Sequence, residues 1–359
     1  MAEMDPNVAK HLFSEGGMLL IFDVPKGTEF GIDYNSWKVG SKFKGVKMIP
    51  PGIHFVFYSA VSKEGQTAPR TGFFCSLEKR HVLVKKWDRE VEDVVQGDES
   101  IENTERIRTG MEELDQYLGA YPYESYKKWL SLSDKISQPL LERLQPTCGK
   151  ISSVTQVPSH EEFRSEASKM EIDEGNLSIS FEQSPENKIR FTEIPKRRYP
   201  EGSSPVEITR HSLDSTYILE CMISHMADKM EILGELQFAF VCFLLGQVYD
   251  AFEHWKGLVQ VLCTCDDAIT KHPDLFHAFI GVLHFQLLEA PKDFFVDIVT
   301  KNNFLTVTLQ VFFSNLETSA NVDESLVKKA QRFRKHLTKR FKWDFESEPD
   351  EYEPVIVET

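Results

Sequence analysis

Leu236-Gln-Phe-Ala-Phe-Val-Cys-Phe-Leu-Leu-Gly246 is apolar at every position from Phe238 to Leu245, which leaves no face for water. A helix on the surface of a globular protein carries an apolar stripe, whereas one that is apolar all round is surrounded by other elements. Gln237 and Gln247 bound the run, and a membrane span takes about 20 apolar residues, so this stretch is too short to cross a bilayer. The expectation is a central helix from about Ile232 to Val248 inside an all-helical domain.

Flanking segments supply the helices that would surround it. Asp214–Met230 brings Tyr217, Leu219, Met222, Ile223 and Met226 to one side at helical spacing. Tyr249–Ala268 does the same with Phe252, Trp255, Leu258, Val259 and Leu262. Pro273 stands at the favoured first position of another helix, with Phe276, Phe279, Ile280, Leu283 and Leu287 behind it. Phe294–Phe313 is apolar with a break near Lys301, and Asp323–Phe341 reads as a last amphipathic helix. Short connections between them favour a bundle or a superhelix of helix pairs.

Upstream the period is that of strands. Met18–Val24, Thr28–Tyr34, Phe43–Ile49, Ile53–Ala60, Gly72–Leu77 and Val82–Trp87 are short apolar or alternating runs. Turn residues separate them: Pro25-Lys-Gly27, Pro50-Pro51-Gly52, Lys63-Glu-Gly65 and Glu78-Lys-Arg80. Such spacing predicts a sandwich or small barrel, with Gly45 as a bulge. From Ile101 the spacing turns helical as far as Gly119, and Tyr123–Leu132 and Ser137–Leu144 follow as further capping helices.

The expected organisation is therefore α+β in two domains. Residues 1–146 form a β-rich domain with capping helices, 147–208 a disordered Ser/Pro-rich linker, 209–343 the helical domain and 344–359 an acidic tail. A chain of 359 residues exceeds what one core usually organises. Within the linker, Ser184-Pro185 and Ser204-Pro205 are candidate sites for proline-directed phosphorylation, near the basic Lys196-Arg197-Arg198. In the tail, Tyr352-Glu-Pro-Val-Ile-Val357 is strand-prone and suited to joining a partner's sheet edge, which makes Tyr352, Pro354, Val355, Ile356 and Val357 candidate partner-binding residues.

The formal net charge of −15 argues against generic attraction to nucleic acid. Six sparse cysteines, several inside apolar runs, suit reduced thiols in the cytoplasm or nucleus. Met1-Ala-Glu-Met-Asp-Pro6 has neither the basic start nor the apolar core of a secretory signal.

No phosphate-binding glycine motif, HExxH or GxSxG occurs. Cys263 and Cys265, with His254, His272, His277 or His284, lack a CxxC pair, and they sit where core residues are needed; no metal or other cofactor is expected. Cys242, in the all-apolar run, should be an inert thiol. A hydrolase would require Asp23, Asp33 and His54 in one concave site, but turn or edge positions are expected for the aspartates. An RNA-binding adaptor could use the basic stretch 328–342, although Phe333, Phe341 and Trp343 within or beside it fit core spacing.

Two stretches are specific enough to carry a resemblance. One is Gly31-Ile-Asp-Tyr-Asn-Ser-Trp37 continuing to Phe43-Lys-Gly-Val-Lys-Met-Ile-Pro-Pro-Gly-Ile-His-Phe55. The other is Gly234-Glu-Leu-Gln-Phe-Ala-Phe240 through Gly246, followed by Trp255. Pro50, Pro51, Gly52, His54, Leu236, Phe238, Phe240 and Trp255 are the signature positions. Together they resemble the AAR-two family of splicing factors, close to its vertebrate members and across most of the chain. The resemblance implies a β-rich N-terminal domain, a VHS-like helical superhelix, and no enzymatic activity. It implies an assembly factor of the spliceosomal U-five particle that binds the RNase H-like and Jab/MPN-like domains of the central scaffold protein. Docking of helicase and RNA would be delayed until phosphorylation releases the factor, which is expected in cytoplasm and nucleus, without membrane or direct nucleic-acid contact, and monomeric alone.

Overall fold

The computed structural model describes residues 6–61, 67–96, 110–153, 186–290, 304–319 and 321–345. It is α+β, with a β-rich N-terminal unit and an all-helical C-terminal unit. Described residues up to 129, with 141–153, 186–190 and 245–249, form the first unit; 130–140, 191–244, 250–290, 304–319 and 321–345 form the second.

In the first unit, α1 (Pro6–Glu15) precedes β1 (Gly17–Phe22), β2 (Glu29–Ile32), β3 (Asn35–Lys38), β4 (Gly45–Ile49), β5 (Gly52–Ser59), β6 (Thr71–Leu77), β7 (Val82–Asp88) and β8 (Asp93–Gln96). A short α2 (Met111–Asp115) leads to β9 (Leu118–Ala120). Then come α3 (Tyr126–Ser133) and α4 (Gln138–Leu144), whose residues 130–133 and 138–140 group with the second unit, and β10 (Ile151–Ser152). The strands make two five-stranded sheets, ordered β8-β7-β1-β4-β9 and β10-β6-β5-β2-β3. The second is antiparallel throughout, while β1 runs parallel to β7 and β4 parallel to β9. One core draws on both sheets: Leu19 and Ile21 from β1, Val46 and Ile49 from β4, Val56 and Tyr58 from β5, Phe73 and Cys75 from β6.

Three local readings are corrected. The bulge lies not at Gly45 but between Val46 and Ile49, where Met48 adopts φ 61° and three steps of β4 oppose two of β1. Gly45 is required for another reason: a Cβ there would lie 2.0 Å from the Leu19 carbonyl oxygen, at φ 142°. Gly119 does not stop a helix; it pairs with Val46 inside β9. The free edge of β4 offers its backbone ladder there, and Leu118 is buried against Leu20, Val82 and Val84. Positions 101–109 of that expected helix lie outside the described residues.

The second unit contains α5 (Pro205–Leu213), α6 (Thr216–Ile223), α7 (Glu231–Leu244), α8 (Tyr249–Cys263), α9 (Asp267–Lys271), α10 (Pro273–Glu289), α11 (Phe304–Thr318) and α12 (Glu324–Phe341). Every residue of α7 from Ile232 to Cys242 is buried, as its sequence demands. Helix α10 packs against α7, α9 and α12, and meets α8 through Gln286 and α11 through Phe276 and Phe279. Helix α6 ends sooner than expected because Ser224 and His225 both turn their side chains onto the Cys221 carbonyl, the acceptor a further helical turn would use. Positions 291–303 lie outside the described residues.

Of the span expected as a disordered linker, residues 147–153 and 186–208 are described and are built into the fold, while 154–185 lie outside the described residues. Residues 151–152 pair with β6, and helix begins at Pro205, not near Ser212. Ile189 is buried, and Phe191 stacks on His254 with centroids 4.2 Å apart. These apolar residues are anchors, and the run between Pro185 and Pro195 that holds them is too short to reveal a period. The acidic tail also starts later: Phe345 is 5% exposed and meets the ring of Phe313 at 5.2 Å.

Candidate functional site

Asp33 occupies a turn, as expected of the aspartates, but it is buried there and meets His54 in the interior. Asp33 sits in the β2–β3 turn at φ 53°, and His54 on the inner face of β5. His54 Nδ1 is 2.7 Å from Asp33 Oδ2, the Tyr121 hydroxyl donates to the same oxygen at 2.5 Å, and the Phe55 amide donates to Oδ1 at 2.9 Å. His54 Nε2 lies 2.7 Å from the Pro50 carbonyl oxygen, which can only accept, so Nε2 carries a hydrogen. The Pro50-Pro51-Gly52 turn thus orients the imidazole. Asp33 and His54 are fully buried, and Tyr121 is 2% exposed. Burial, then the Asp33 carboxylate, hold the Tyr121 phenol above its ordinary range; the same two causes push the Cys75 thiol up to about 12. Buried polar groups need hydrogen-bond partners, and these have them.

Asp23 does not join this cluster. It lines an open cleft of about 920 Å³ whose walls include neither Asp33 nor His54. A three-residue hydrolytic site is therefore not assembled.

Leu236, Phe238, Phe240 and Trp255 are core, each at most 1% exposed. What composition concealed is the polar chemistry among them. Glu235, fully buried, accepts from the Thr192 amide at 2.7 Å and the Thr192 hydroxyl at 2.6 Å, and meets His254 Nε2 at 2.9 Å. Burial would raise its carboxyl, but the bonds from His254 and Thr192 outweigh this and hold it below the usual carboxylate value. Gln237, also fully buried, accepts from the Lys135 amide and donates to Asp134 Oδ1, both at 2.8 Å. Gln286 bridges the Trp255 indole N–H at 2.9 Å and the Leu236 carbonyl oxygen at 3.2 Å. The available signal was a charged and an amide side chain beside an all-apolar run, which forces them to find partners.

Burial raises the thiols of Cys242, Cys263 and Cys265. Among the described residues no group of three His, Cys, Asp or Glu side chains could hold a metal ion.

On α12, Lys328 pairs with Glu324 at 3.2 Å and Arg334 with Glu317 at 3.0 Å. Lys329 donates to the His277 carbonyl at 2.7 Å, and Arg340 to the Leu288 carbonyl at 3.1 Å. Arg332, Lys335, Lys339 and Lys342 remain exposed. Phe333 and Trp343 are buried and Phe341 is half-buried, so no aromatic row faces outward with them.

Ser204 is the N-cap of α5. Its amide and hydroxyl donate to Glu207 Oε2 at 2.7 and 2.8 Å, and its oxygen accepts from the Glu207 amide. That capping box holds a helix with no buried residue, beside a small cleft lined by Lys196, Arg197, Arg198, Tyr199, Ile208 and Ser212. Ser184, Tyr352, Pro354, Val355, Ile356 and Val357 lie outside the described residues.

Two family models match the chain: one described as the AAR2 N-terminal domain over residues 15–146, the other as the AAR2 C-terminal repeat region over 191–346. The chain is similar to the Protein AAR2 homolog of Homo sapiens, 48% identical over 375 residues that cover 99% of this chain and 97% of the human protein. Mus musculus Protein AAR2 homolog is 47% identical over 373 residues, covering 99% and 97%. The Caenorhabditis elegans protein of the same name is 36% identical over 355 residues, covering 95% and 98%.

Proposed function

The chain belongs to the AAR2 family, and from that premise we propose that it is a non-enzymatic assembly factor of the spliceosomal U5 particle, required for pre-mRNA splicing. Likeness over both units at once carries this reading, because a factor of this kind works through two surfaces held on one chain. The closure of the Asp33–His54–Tyr121 cluster supports binding over catalysis: its titratable groups serve the fold and reach no substrate. The partner is the central scaffold protein, engaged through its RNase H-like and Jab/MPN-like domains, in cytoplasm and nucleus. The bound factor delays docking of helicase and RNA. Tail residues Tyr352 and Pro354–Val357 add a strand to the partner, and phosphorylation at Ser184 or Ser204 weakens the complex by adding negative charge.

Titration calorimetry of the full chain against a scaffold fragment holding both domains tests this. An interface of the usual size, about 1,600 Å², is expected with affinity tighter than about 1 μM. Absence of heat and of co-elution at about 10 μM refutes it. A second reading, an RNA-binding adaptor, draws on the exposed Arg332, Lys335, Lys339 and Lys342. It requires affinity for single-stranded RNA that falls steeply with salt and is lost when these four are changed to Gln.

A further inference from the structure

The cleft that takes in Asp23 uses none of the residues considered so far for function. Its walls come from the end of β1 and the loop behind it (Phe22, Asp23, Val24, Pro25, Lys26), from Lys42, Phe43 and Lys44 before β4, and from Trp87, Arg89 and Glu92 around the β7–β8 turn. Two properties set it apart. First, its charge opposes that of the chain: four cations, Lys26, Lys42, Lys44 and Arg89, outnumber two carboxylates, Asp23 and Glu92, in a protein of net charge −15. Among the described residues no ion pair engages Lys26, Lys42 or Arg89, and all three are exposed. Second, the half-buried rings of Phe22 and Phe43 line it beside Trp87, whose indole Nε1 is buried with no acceptor among the described residues.

From these observations we infer that the cleft is a binding site for an extended acidic peptide segment of a partner protein. The cations meet carboxylates of the segment, and the half-buried rings of Phe22 and Phe43 offer apolar surface to a side chain between them in its sequence. Nucleic acid fits less well. Trp87 presents no open ring for a base to stack on.

The test is fluorescence anisotropy of the full chain with fluorescein-labelled peptides of alternating Glu and Leu, alternating Lys and Leu as the opposite-charge probe, and labelled oligouridine. Binding of the Glu-Leu peptide is expected to exceed that of the Lys-Leu peptide at least tenfold. Lys42→Glu with Arg89→Glu, both at exposed positions, should weaken it at least tenfold. Unchanged scaffold binding by Lys42→Glu/Arg89→Glu separates this site from the proposed assembly contact. Equal affinity for both peptides, insensitivity to Lys42→Glu/Arg89→Glu, or oligouridine binding lost in that variant overturns the assignment. Circular dichroism of the variant confirms that a loss of binding is not a loss of fold.

Discussion

Replacing Glu235 by Ala should cost the helical unit about 3–5 kcal/mol, the range for breaking a buried charged pair by removing one partner. The figure follows from what is stranded. Glu235 is fully buried, and three donors converge on its carboxylate: the Thr192 amide, the Thr192 hydroxyl and His254 Nε2. Each bond to a charged acceptor contributes about 1.5–3 kcal/mol, but the three share one group and do not add. For a unit of this size the loss corresponds to a fall in Tm of roughly 6–20 °C. Glu235→Gln keeps an acceptor and should cost about 1–3 kcal/mol. The sign with pH follows from the depressed carboxyl. Its contribution is present above the ordinary value of 4.5 and is lost as pH falls through the lower folded value. Urea unfolding of wild type should therefore weaken more steeply with acid below pH 4.5 than that of Glu235→Ala. Amide exchange at Thr192 reports the clamp directly and should accelerate in Glu235→Ala even where the helices stay protected. A cost under about 1 kcal/mol, or unchanged Thr192 exchange, would refute the reasoning.

Further outcomes can be measured alongside. Gly234→Ala places a methyl 2.4 Å from the Lys135 carbonyl oxygen and 2.6 Å from Leu140 Cδ2, so overpacking of about 1–3 kcal/mol should exceed the helix-propensity gain of about 1, and a rise in Tm would contradict the contact. His54→Leu leaves Asp33 Oδ2 and the Pro50 carbonyl oxygen without the imidazole and should lower stability by about 1–3 kcal/mol in urea melts, with near-native stability counting against the contact. His284 has its pKa depressed by burial and by His336, so the stability it contributes is present above 6.5 and declines as pH falls below that; His284→Gln should flatten the Tm profile between pH 7.5 and 5.5. Deleting 346–359, which spares the buried Phe345, should leave Tm within about 1 °C while weakening scaffold affinity, and calorimetry showing equal affinity would remove the tail from the interface.

Both fold classes were legible because each rests on a period. Alternation in Phe43–Ile49 and helical spacing in Pro273–Glu289 report which faces meet a core. What stayed hidden depends on pairing. Strand β9 exists because β4 has an edge to fill, and nothing in Tyr117–Ala120 announces an edge elsewhere in the chain. Met48, not Gly45, takes the bulge because register is settled across two strands. For the candidate sites, His54 and Asp33 could be picked out as chemically capable residues, yet their meeting at 2.7 Å is a product of topology. Phe191 and Thr192 looked like linker because the run between Pro185 and Pro195 is too short to set a pattern. Trp87 looked like an ordinary strand aromatic, and its unpartnered N–H becomes visible only with its surroundings.

The Gln237 clamp has a consequence for synthesis. Lys135 and Gln237 are 102 residues apart, yet the first is held by the second. A ribosome adding about 5–20 residues per second makes Lys135 some 5–20 s before Gln237. Through that interval residues 130–140 carry Ile136 and Leu140, both buried in the finished protein, with no helical unit to receive them. The nascent chain must therefore keep this short segment from finding another apolar surface until the central helix arrives.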